Sequence, residues 1–267
     1  MAERPIWLIG CGNMAGAMLT GWLAAGHDPS MFRVIDPATP ILPEGVQLFD
    51  GPPAGGFGPS VVQLGFKPHM LADVAPGLAS SVTSETIVTS IMAGVEIASL
   101  RAAFPDAEAI VRIMPNMAVA MGKGAIGFVP EQNYSPTEIE NFLAPLGQVE
   151  QIINEAQLNA VTVLSGSGPA FFYRFVDALA EAGGAIGLDP AQALRMALAT
   201  AEGAAALAVS SNESPGELAE RVASPGGTTR AGLDILDQDA ALKQLVEETL
   251  SAAMRRAEEM ARETRER

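Results

Sequence analysis

The stretch GCGNMA, residues 10–15, places two closely spaced glycines at the start of a predicted helix. The apolar run Ile6–Ile9 precedes it and predicts a strand. In such a junction the first glycine permits a tight turn, the second lets a pyrophosphate approach the backbone, and Ala15 allows close helix–strand packing. The free N–H groups of the helix then bind the anion. We therefore predict a dinucleotide-binding turn whose cofactor contacts are Gly10, Gly12, Asn13, Met14 and Ala15.

Asp36 ends a second apolar run and lies about 20 residues beyond the glycines. An acidic residue there accepts hydrogen bonds from the adenosine ribose hydroxyls, which favours NAD, and no arginine follows it to bind a 2′-phosphate. An Asp-Pro turn would also explain Asp36. The cofactor is therefore predicted as NADH or NADPH.

Three further predicted strands end in distinctive residues, in the stretches GFKP (65–68), SIMAGV (90–95) and RIMPNM (112–117). Ligands of open parallel sheets lie beyond the carboxyl ends of the strands, so we expect these residues at the cofactor. Lys67 and Pro68 could meet a phosphate or the nicotinamide ribose, and Ala93 with Gly94 leaves room for a flat ring. Asn116 could bind a carboxamide. Lys67 could instead be a solvated loop lysine, and Asn116 a turn cap.

A second glycine-rich turn, SPGGTT at residues 224–229, interrupts helical sequence. Consecutive backbone N–H groups in such a turn form a concave anion site, and hydroxyl side chains add donors. An ordinary loop with threonine caps is the alternative. We predict that the turn binds a small carboxylate substrate through Ser224, Gly226, Gly227, Thr228 and Thr229.

The sequence contains neither a recognisable metal-ligand cluster nor a Ser/His/Asp set, so no metal is predicted. The single cysteine, Cys11, rules out an intrachain disulfide and is expected to be a buried, inert thiol. A nicotinamide cofactor without an obvious acid or base suits a substrate that needs little proton transfer, such as a cyclic imine.

These residues must be positioned by two different kinds of structure. In the first half, six β-rich runs alternate with helical stretches, which predicts βαβ units and a mainly parallel sheet: residues 6–9, 32–35, 60–64, 86–91, 109–114 and 125–129. After about Ile153 the β signal disappears. The fold class is thus an α/β Rossmann-type domain, residues 1–155, followed by an all-α domain, residues 156–267, whose small residues favour a subunit interface over a tight bundle.

Two stretches of one pattern, Ser135-Pro136-Thr137-Glu138 and Ser214-Pro215-Gly216-Glu217, predict helix starts, and a capping box is expected at Ser135. Asp189-Pro190 predicts a third start. GPPAGGFGP, residues 51–59, is expected to be a surface loop.

The chain has 267 residues, of which 48% are hydrophobic, and a net charge of −15. That size allows a large core and two domains. The acidic balance argues against a nucleic-acid partner. No signal-peptide pattern and no uninterrupted apolar segment of membrane-spanning length is evident, so a cytoplasmic protein without a membrane partner is expected.

The chain closely resembles the pyrroline-5-carboxylate reductase family over nearly its whole length. The stretches that carry the resemblance are IGCGNMAGAM (9–18), FKP (66–68), SIMAGV (90–95), RIMPNMAVAMGKGAIGF (112–128), LSGSGPAFFY (164–173), EAGGAIGL (181–188) and SPGELAERVASPGGTTRAGLDILDQ (214–238). The last of these is the most specific.

The resemblance implies NAD(P)H-dependent reduction of 1-pyrroline-5-carboxylate to L-proline, the last step of proline biosynthesis. It also implies a homodimer formed by interleaved helices of the second domain, with the site completed at that interface. Family dimers often assemble further, commonly into decamers.

By motif, the resemblance puts residues 10–15 at the pyrophosphate and Lys67 with Ala93 beside the nicotinamide. Thr228, Thr229 and the two glycine amides before them would hold the substrate carboxylate and ring. Glu155 matches an acidic position near the substrate. Thr229 is the catalytic candidate, assisting protonation of the ring nitrogen directly or through water.

Two alternatives stay open. A related Rossmann reductase acting on another imino acid or a small hydroxyacid would share the architecture, but hydroxyacid enzymes of that group carry a catalytic lysine that AVTVLSGSGPAFFYRF, residues 160–175, lacks. A dinucleotide-binding regulatory protein would explain residues 10–15 but would leave residues 224–229 without a role.

Overall fold

The computed structural model describes residues 4–53 and 58–265 of the chain. Two compact units are present: one comprises the residues up to Gly166 together with those from Met254 onward, and the other spans Ser167–Ala253. The domain boundary predicted at residue 155 stays a prediction. Residues 54–57 of the predicted surface loop lie outside the described residues.

An eight-stranded sheet forms the centre of the first unit, in the order β3-β2-β1-β4-β5-β6-β7-β8. Strands β6 and β7 pair antiparallel, and the other neighbours pair parallel. The strands are β1 Ile6–Ile9, β2 Phe32–Ile35, β3 Gln47–Phe49, β4 Val61–Leu64, β5 Ile87–Ser90, β6 Ala109–Met114, β7 Gly124–Pro130 and β8 Gly147–Gln151. The Rossmann-type arrangement predicted from the alternation of elements is confirmed.

Each of the six predicted β-rich runs contains a strand, whereas β3 and β8 lie outside those runs. These two strands lie at opposite edges of the sheet, where side chains stay partly exposed. A partly exposed edge strand needs no apolar run, so its sequence resembles that of a loop.

In the described part of the chain up to Gly166, the α-helices are α1 Asn13–Ala24, α2 Leu71–Ala79, α3 Ile97–Ala103, α4 Thr137–Leu143 and α5 Leu158–Val161. Successive strand residues face opposite sides, so each face of the sheet has its own core. Leu8 packs in one cluster with Trp22 of α1, and Trp7 packs in the other with Leu100 of α3. These packed faces fix the strand ends at which the candidate site lies.

The second unit is helical, with α6 Gly168–Ala185, α7 Pro190–Ser210, α8 Pro215–Val222 and α9 Thr228–Asp237; α10, Ala241–Arg265, begins in it. The helix starts predicted at Pro190 and Pro215 are confirmed. Asp189 accepts a hydrogen bond from the Gln192 N–H at 3.1 Å, and Ser214 forms a complete capping box with Glu217. These caps define where the helices begin.

The capping box expected at Ser135 is wrong. Helix α4 begins at Thr137, and the Ser135 hydroxyl lies 3.5 Å from the Thr137 hydroxyl instead of capping the backbone. The Glu138 carboxylate faces Tyr134 and Glu108: burial, followed by this charge, raises the pKa of both groups. The N-cap of α4 is Pro136, one residue later than a box on Ser135 requires, so the reciprocal bond from Glu138 does not form.

Large apolar side chains remain exposed throughout the second unit, whereas its buried cluster contains Val176, Ala180 and Ala197. The exposed side chains are Phe172, Tyr173, Phe175, Leu179, Ile186, Leu188, Leu194, Met196, Leu198, Leu207, Val209, Val222, Ile235, Leu236, Leu242, Leu245 and Val246. Among the described residues, helix α7 is long and apolar enough to cross a membrane by length and composition alone. This is weak evidence, because a core helix of a soluble protein can pass the same test.

Candidate active site

The turn between β1 and α1 brings its first glycine against the neighbouring strand end. Gly10 has φ +80°, a conformation that favours glycine, and its N–H donates to the Ile35 carbonyl at 2.9 Å. A Cβ at Gly10 would lie 3.2 Å from the carbonyl carbon of Gly65, just after β4. Packing of the protein on itself thus accounts for the first glycine.

The second glycine has no such explanation. A Cβ built on Gly12 meets nothing within 4 Å, and its backbone is extended. Gly12 is the N-cap of α1, and it makes no side-chain hydrogen bond to the first turn of the helix, in which there is no acidic residue either. The first N–H groups of α1, those of Asn13, Met14 and Ala15, therefore have neither an intrahelical acceptor nor a side-chain cap, which fits the pyrophosphate of a dinucleotide.

The carboxylate of Asp36 is fixed at the ends of β1 and β2. Its Oδ2 accepts a hydrogen bond from the Cys11 N–H at 2.8 Å, and its Oδ1 accepts one from the Ala38 N–H at 2.9 Å. The Asp-Pro turn is therefore present. Since each carboxylate oxygen can accept more than one hydrogen bond, ribose hydroxyls can still bind Asp36.

Cys11, between the two glycines, is partly buried. Burial, and secondarily the Asp36 charge, raises the pKa of its thiol to about 11. The thiol consequently stays protonated at neutral pH, as expected for an inert cysteine.

The remaining strand-end candidates of β4 and β5 lie at the same edge of the sheet as the Gly10 turn, because these strands run parallel to β1. Lys67 is exposed and precedes a 3₁₀ turn that begins at Pro68. Ala93 is exposed, and Gly94 has φ +79°. The structure therefore brings one group of candidates together at the carboxyl ends of the parallel strands, which we call the sheet edge: Gly10, Gly12, Asn13, Met14, Ala15, Asp36, Lys67, Pro68, Ala93 and Gly94.

Asn116 is buried just beyond β6 and uses its amide within the protein. Its Oδ1 accepts from the Ala118 N–H at 3.2 Å, and its Nδ2 donates to the Ser165 carbonyl at 3.0 Å. Ser165 belongs to a π-helical turn, Thr162–Gly166. Asn116 thus acts as the turn cap that was one of its two interpretations, and a contact with the cofactor stays a prediction.

Glu155 faces a residue that sequence reasoning missed. Its Oε1 accepts hydrogen bonds from Nη1 of Arg112 at 2.8 Å and from the Ile97 N–H, at the start of α3, at 2.9 Å. Arg112 lies in the middle of β6, and its side chain is only 8% exposed. The signal was one charged residue inside the apolar run AIVRIM, which implies a buried partner of opposite charge.

In the second unit, helix α9 begins at Thr228, as predicted for a hydroxyl pair at a helix start. Gly226 has φ +71°, and a Cβ on Gly227 would lie 2.5 Å from the Ser224 hydroxyl oxygen. The turn itself therefore requires both glycines. Ser224, Thr228 and Thr229 are exposed, and the N-cap, Gly227, makes no side-chain capping bond.

Profiles of two protein families match the chain. The family described as pyrroline-5-carboxylate reductase dimerisation matches residues 155–260. The family described as NADP oxidoreductase, coenzyme F420-dependent, matches residues 5–94. The first match contains the SPGGTT turn, and the second contains the GCGNMA turn.

Relatives of known name and structure match over the full length. A pyrroline-5-carboxylate reductase of Pseudomonas aeruginosa is 35% identical and covers 98% of each chain. The structure of a pyrroline-5-carboxylate reductase from Coxiella burnetii has a TM-score of 0.87 at 30% identity, covering 96% of this chain and 98% of that one. A Plasmodium falciparum pyrroline carboxylate reductase with NADP bound has a TM-score of 0.80 at 22% identity, covering 98% and 99%, and shares the fold. The resemblance in the motifs is confirmed: this chain belongs to the pyrroline-5-carboxylate reductase family.

Proposed function

We propose that this protein reduces 1-pyrroline-5-carboxylate to L-proline with a reduced nicotinamide dinucleotide. The observation that carries the proposal is the full-length likeness to the Pseudomonas aeruginosa reductase. The two glycine-rich turns support it, since each lies at the start of a helix whose first N–H groups have no side-chain cap. We propose that the two turns bind the two reactants of one reaction.

At the sheet edge, the N–H groups of Asn13, Met14 and Ala15 would hold the pyrophosphate, and Gly12 leaves the space for it. Lys67, Pro68, Ala93 and Gly94 would border the nicotinamide, with Asn116 behind them. When bound, NADH or NADPH supplies the hydride.

On the substrate side, the backbone N–H groups of Gly226 and Gly227 would hold the carboxylate, with Ser224 and Thr228 as additional donors. The Thr229 hydroxyl would donate a hydrogen bond toward the ring nitrogen, directly or through a water, and so assist its protonation. Most of the acceleration would come from holding the reacting carbon in the right orientation, since a protonated cyclic imine accepts hydride without further activation.

The residues expected at the adenosine ribose of the cofactor favour NADH over NADPH. Asp36 brings a negative charge to the end of β2, and Glu44 adds a second in the loop that follows. Residues 37–46 contain no lysine or arginine, so this loop offers no cation to a 2′-phosphate. We propose NADH as the preferred cofactor, in contrast to the NADP-bound relative from Plasmodium falciparum.

We further propose a homodimer formed through the helical unit. Large apolar side chains are exposed on α6, α7 and α10, and an apolar patch of this kind marks an interaction site on a soluble protein. Residues 155–260 also match the dimerisation family. A second copy of this chain would cover the apolar surface of α7 in place of lipid. Assembly into decamers, the absence of a membrane partner and a cytoplasmic location stay predictions.

The alternatives are weaker. A hydroxyacid reductase of this architecture would need a lysine on the first long helix of the second domain, and α6 contains none. A regulatory protein without turnover would leave the start of α9 without a role, where Thr228 and Thr229 follow an N-cap that makes no side-chain hydrogen bond.

The proposal is tested by mixing the purified protein with 1-pyrroline-5-carboxylate and either NADH or NADPH. The loss of absorbance of the reduced nicotinamide is then followed over time. We expect substrate-dependent oxidation with both cofactors, faster with NADH at low concentrations, and L-proline as the product. If neither NADH nor NADPH is oxidised by a protein shown to be folded, the assignment is removed.

A further inference from the structure

We propose that the ion pair between the buried Arg112 and the partly exposed Glu155 positions the Ala93–Gly94 loop at the cofactor. In this proposal Glu155 acts on the reaction through that loop and does not bind the substrate. The inference rests on the proposed function in one respect, since it takes the sheet edge to be the nicotinamide site.

The first step is that Arg112 needs Glu155. Arg112 lies in β6 beside Ser90 of β5 and Val129 of β7, and its side chain is 8% exposed. A guanidinium withdrawn this far from water is stable only with a partner of opposite charge. Glu155 provides it at 2.8 Å, so the arginine fixes the place of this carboxylate.

The second step is that the same carboxylate oxygen holds α3. Oε1 of Glu155 accepts the N–H of Ile97, the first residue of that helix, at 2.9 Å from 58 positions away in the chain. The residue before it, Glu96, is the N-cap, but its side chain makes no capping bond. Glu155 therefore supplies an acceptor for one of the N–H groups at the helix start that have no intrahelical partner.

The third step links this contact to the loop between β5 and α3. On the strand side, the Ile91 N–H donates to the Leu64 carbonyl and the Met92 N–H donates to the Ser90 hydroxyl, each at 3.2 Å. On the helix side the loop ends at Ile97, which Glu155 holds. Ala93, which is exposed, and Gly94, which is partly buried, form the tip between these two anchors.

Loss of the helix-side anchor should let the tip move. Small displacements of groups that border reacting atoms lower turnover strongly, even when the mutated residue lies outside the reaction itself. The pair should therefore be felt in the binding of the nicotinamide ring and in kcat, and little in the affinity for the imine substrate.

The experiment uses the full-length protein and the variants Glu155→Gln, Arg112→Met and their combination. The double variant removes both charges together, so it avoids an unpaired buried charge if a single variant folds poorly. Three quantities are measured: kcat and KM for 1-pyrroline-5-carboxylate, and the dissociation constants of NADH and of ADP-ribose, which lacks the nicotinamide.

The matched control is Glu131→Gln. Glu131 pairs with Arg101 at the other end of the same helix, and both side chains are partly buried, at 28% and 29% exposure. This variant breaks an equivalent ion pair away from the Ala93–Gly94 loop. It should lower the melting temperature and leave kcat and NADH binding unchanged.

We expect each single variant to lower kcat about tenfold and to weaken NADH binding severalfold, with ADP-ribose binding and substrate KM within about twofold of the wild type. The double variant should be no worse than the singles, because both residues act through one contact. A rise in substrate KM on Glu155→Gln, with Arg112→Met harmless, would instead make Glu155 a substrate ligand and overturn the proposal.

Equal weakening of NADH and ADP-ribose would also overturn it, because the pair would then act on the whole nucleotide-binding unit. Should the wild-type protein fail to reduce 1-pyrroline-5-carboxylate, the proposed function fails. The comparison of NADH with ADP-ribose would still test the ion pair.

Discussion

The sheet-bearing unit and the helical unit differ in how much of their apolar surface they bury on their own. In the first, large side chains on both faces of the sheet are almost fully buried, including Trp22, Phe32, Phe104 and Phe128. In the second, Phe172 and Phe175 are each 49% exposed, and the buried cluster is built from valine and alanine. The first unit thus has a complete core of its own. The second exposes apolar side chains that a second copy of the chain would cover in the proposed dimer.

The two glycine-rich turns differ in an equally instructive way. Packing accounts for Gly10 but leaves the space beside Gly12 empty, so the second glycine points to a ligand. In the helical unit, both Gly226 and Gly227 are needed for the turn itself. The case for a substrate there rests on the uncapped helix start and on Thr228 and Thr229, not on the glycines.

The largest effect is expected from a charge placed in the apolar surface of the helical unit, since it tests whether that surface is an interface. Leu198→Asp places a carboxylate on α7, where the native side chain is 53% exposed in the monomer. At the centre of an interface such a change should raise the dimer dissociation constant about 30-fold or more, with loss of activity at low protein concentration. Sedimentation velocity over a concentration series measures it.

The control for this charge is Ile41→Asp in the first unit, where the side chain is fully exposed at 102% of its reference area. It introduces the same charge on a unit that has its own core and should leave assembly unchanged. Assembly alone is compared, because Ile41 lies in the loop that follows Asp36 at the proposed adenosine site. Equal behaviour of the two variants would mean that the apolar surface of α7 is not an interface.

A second test separates the two glycines of the first turn. Gly12→Val fills space that the protein leaves open, so it should weaken NADH binding about tenfold or more while the melting temperature stays near that of the wild type. Gly10→Ala forces a side chain into a positive φ beside Gly65 and should cost about 1–3 kcal/mol of stability. Calorimetric titration and thermal unfolding distinguish the two, and a Gly12→Val protein that binds NADH like the wild type would count against the open cradle.

The smallest effect is expected at Asp36. Asp36→Ser removes the negative charge near the ribose and one acceptor, so the ratio of kcat/KM for NADH to that for NADPH should fall about fivefold, in line with the loss of one hydrogen bond of about 1 kcal/mol. Asp36 also accepts from the Cys11 and Ala38 N–H groups, and melting curves must check that the turn is intact. An unchanged ratio would show that Asp36 serves the turn alone.

What the sequence could predict follows from how local each feature is. The buried strands and the Gly10 turn are encoded by apolar runs and glycine spacing, and they appear where expected. One local pattern has two outcomes: Ser214 forms a capping box, whereas at Ser135 the glutamate three residues on faces Tyr134 instead. Glu138 also lies near the charge of Glu108, which is distant in the chain, and a single sequence does not reveal such a contact.

The Arg112–Glu155 contact is the clearest case of non-local information. The two residues are 43 positions apart, and neither position alone shows what it contacts. The family resemblance implies a place for Glu155 near the substrate, which stays a prediction. In the fold its carboxylate accepts hydrogen bonds from an arginine and from a helix start. A lone charge in a buried strand was the available clue that a partner must exist.

The central claim is that the two turns serve two reactants of one reaction, and Thr229→Val tests it most directly. Valine keeps the shape of threonine and removes the hydroxyl that we propose to assist the ring nitrogen. The account predicts a fall in kcat of about 100-fold with 1-pyrroline-5-carboxylate, while the dissociation constant of NADH, measured by titration on the same preparation, stays near the wild-type value. An unchanged kcat, or an equal loss of turnover and NADH binding, would contradict it.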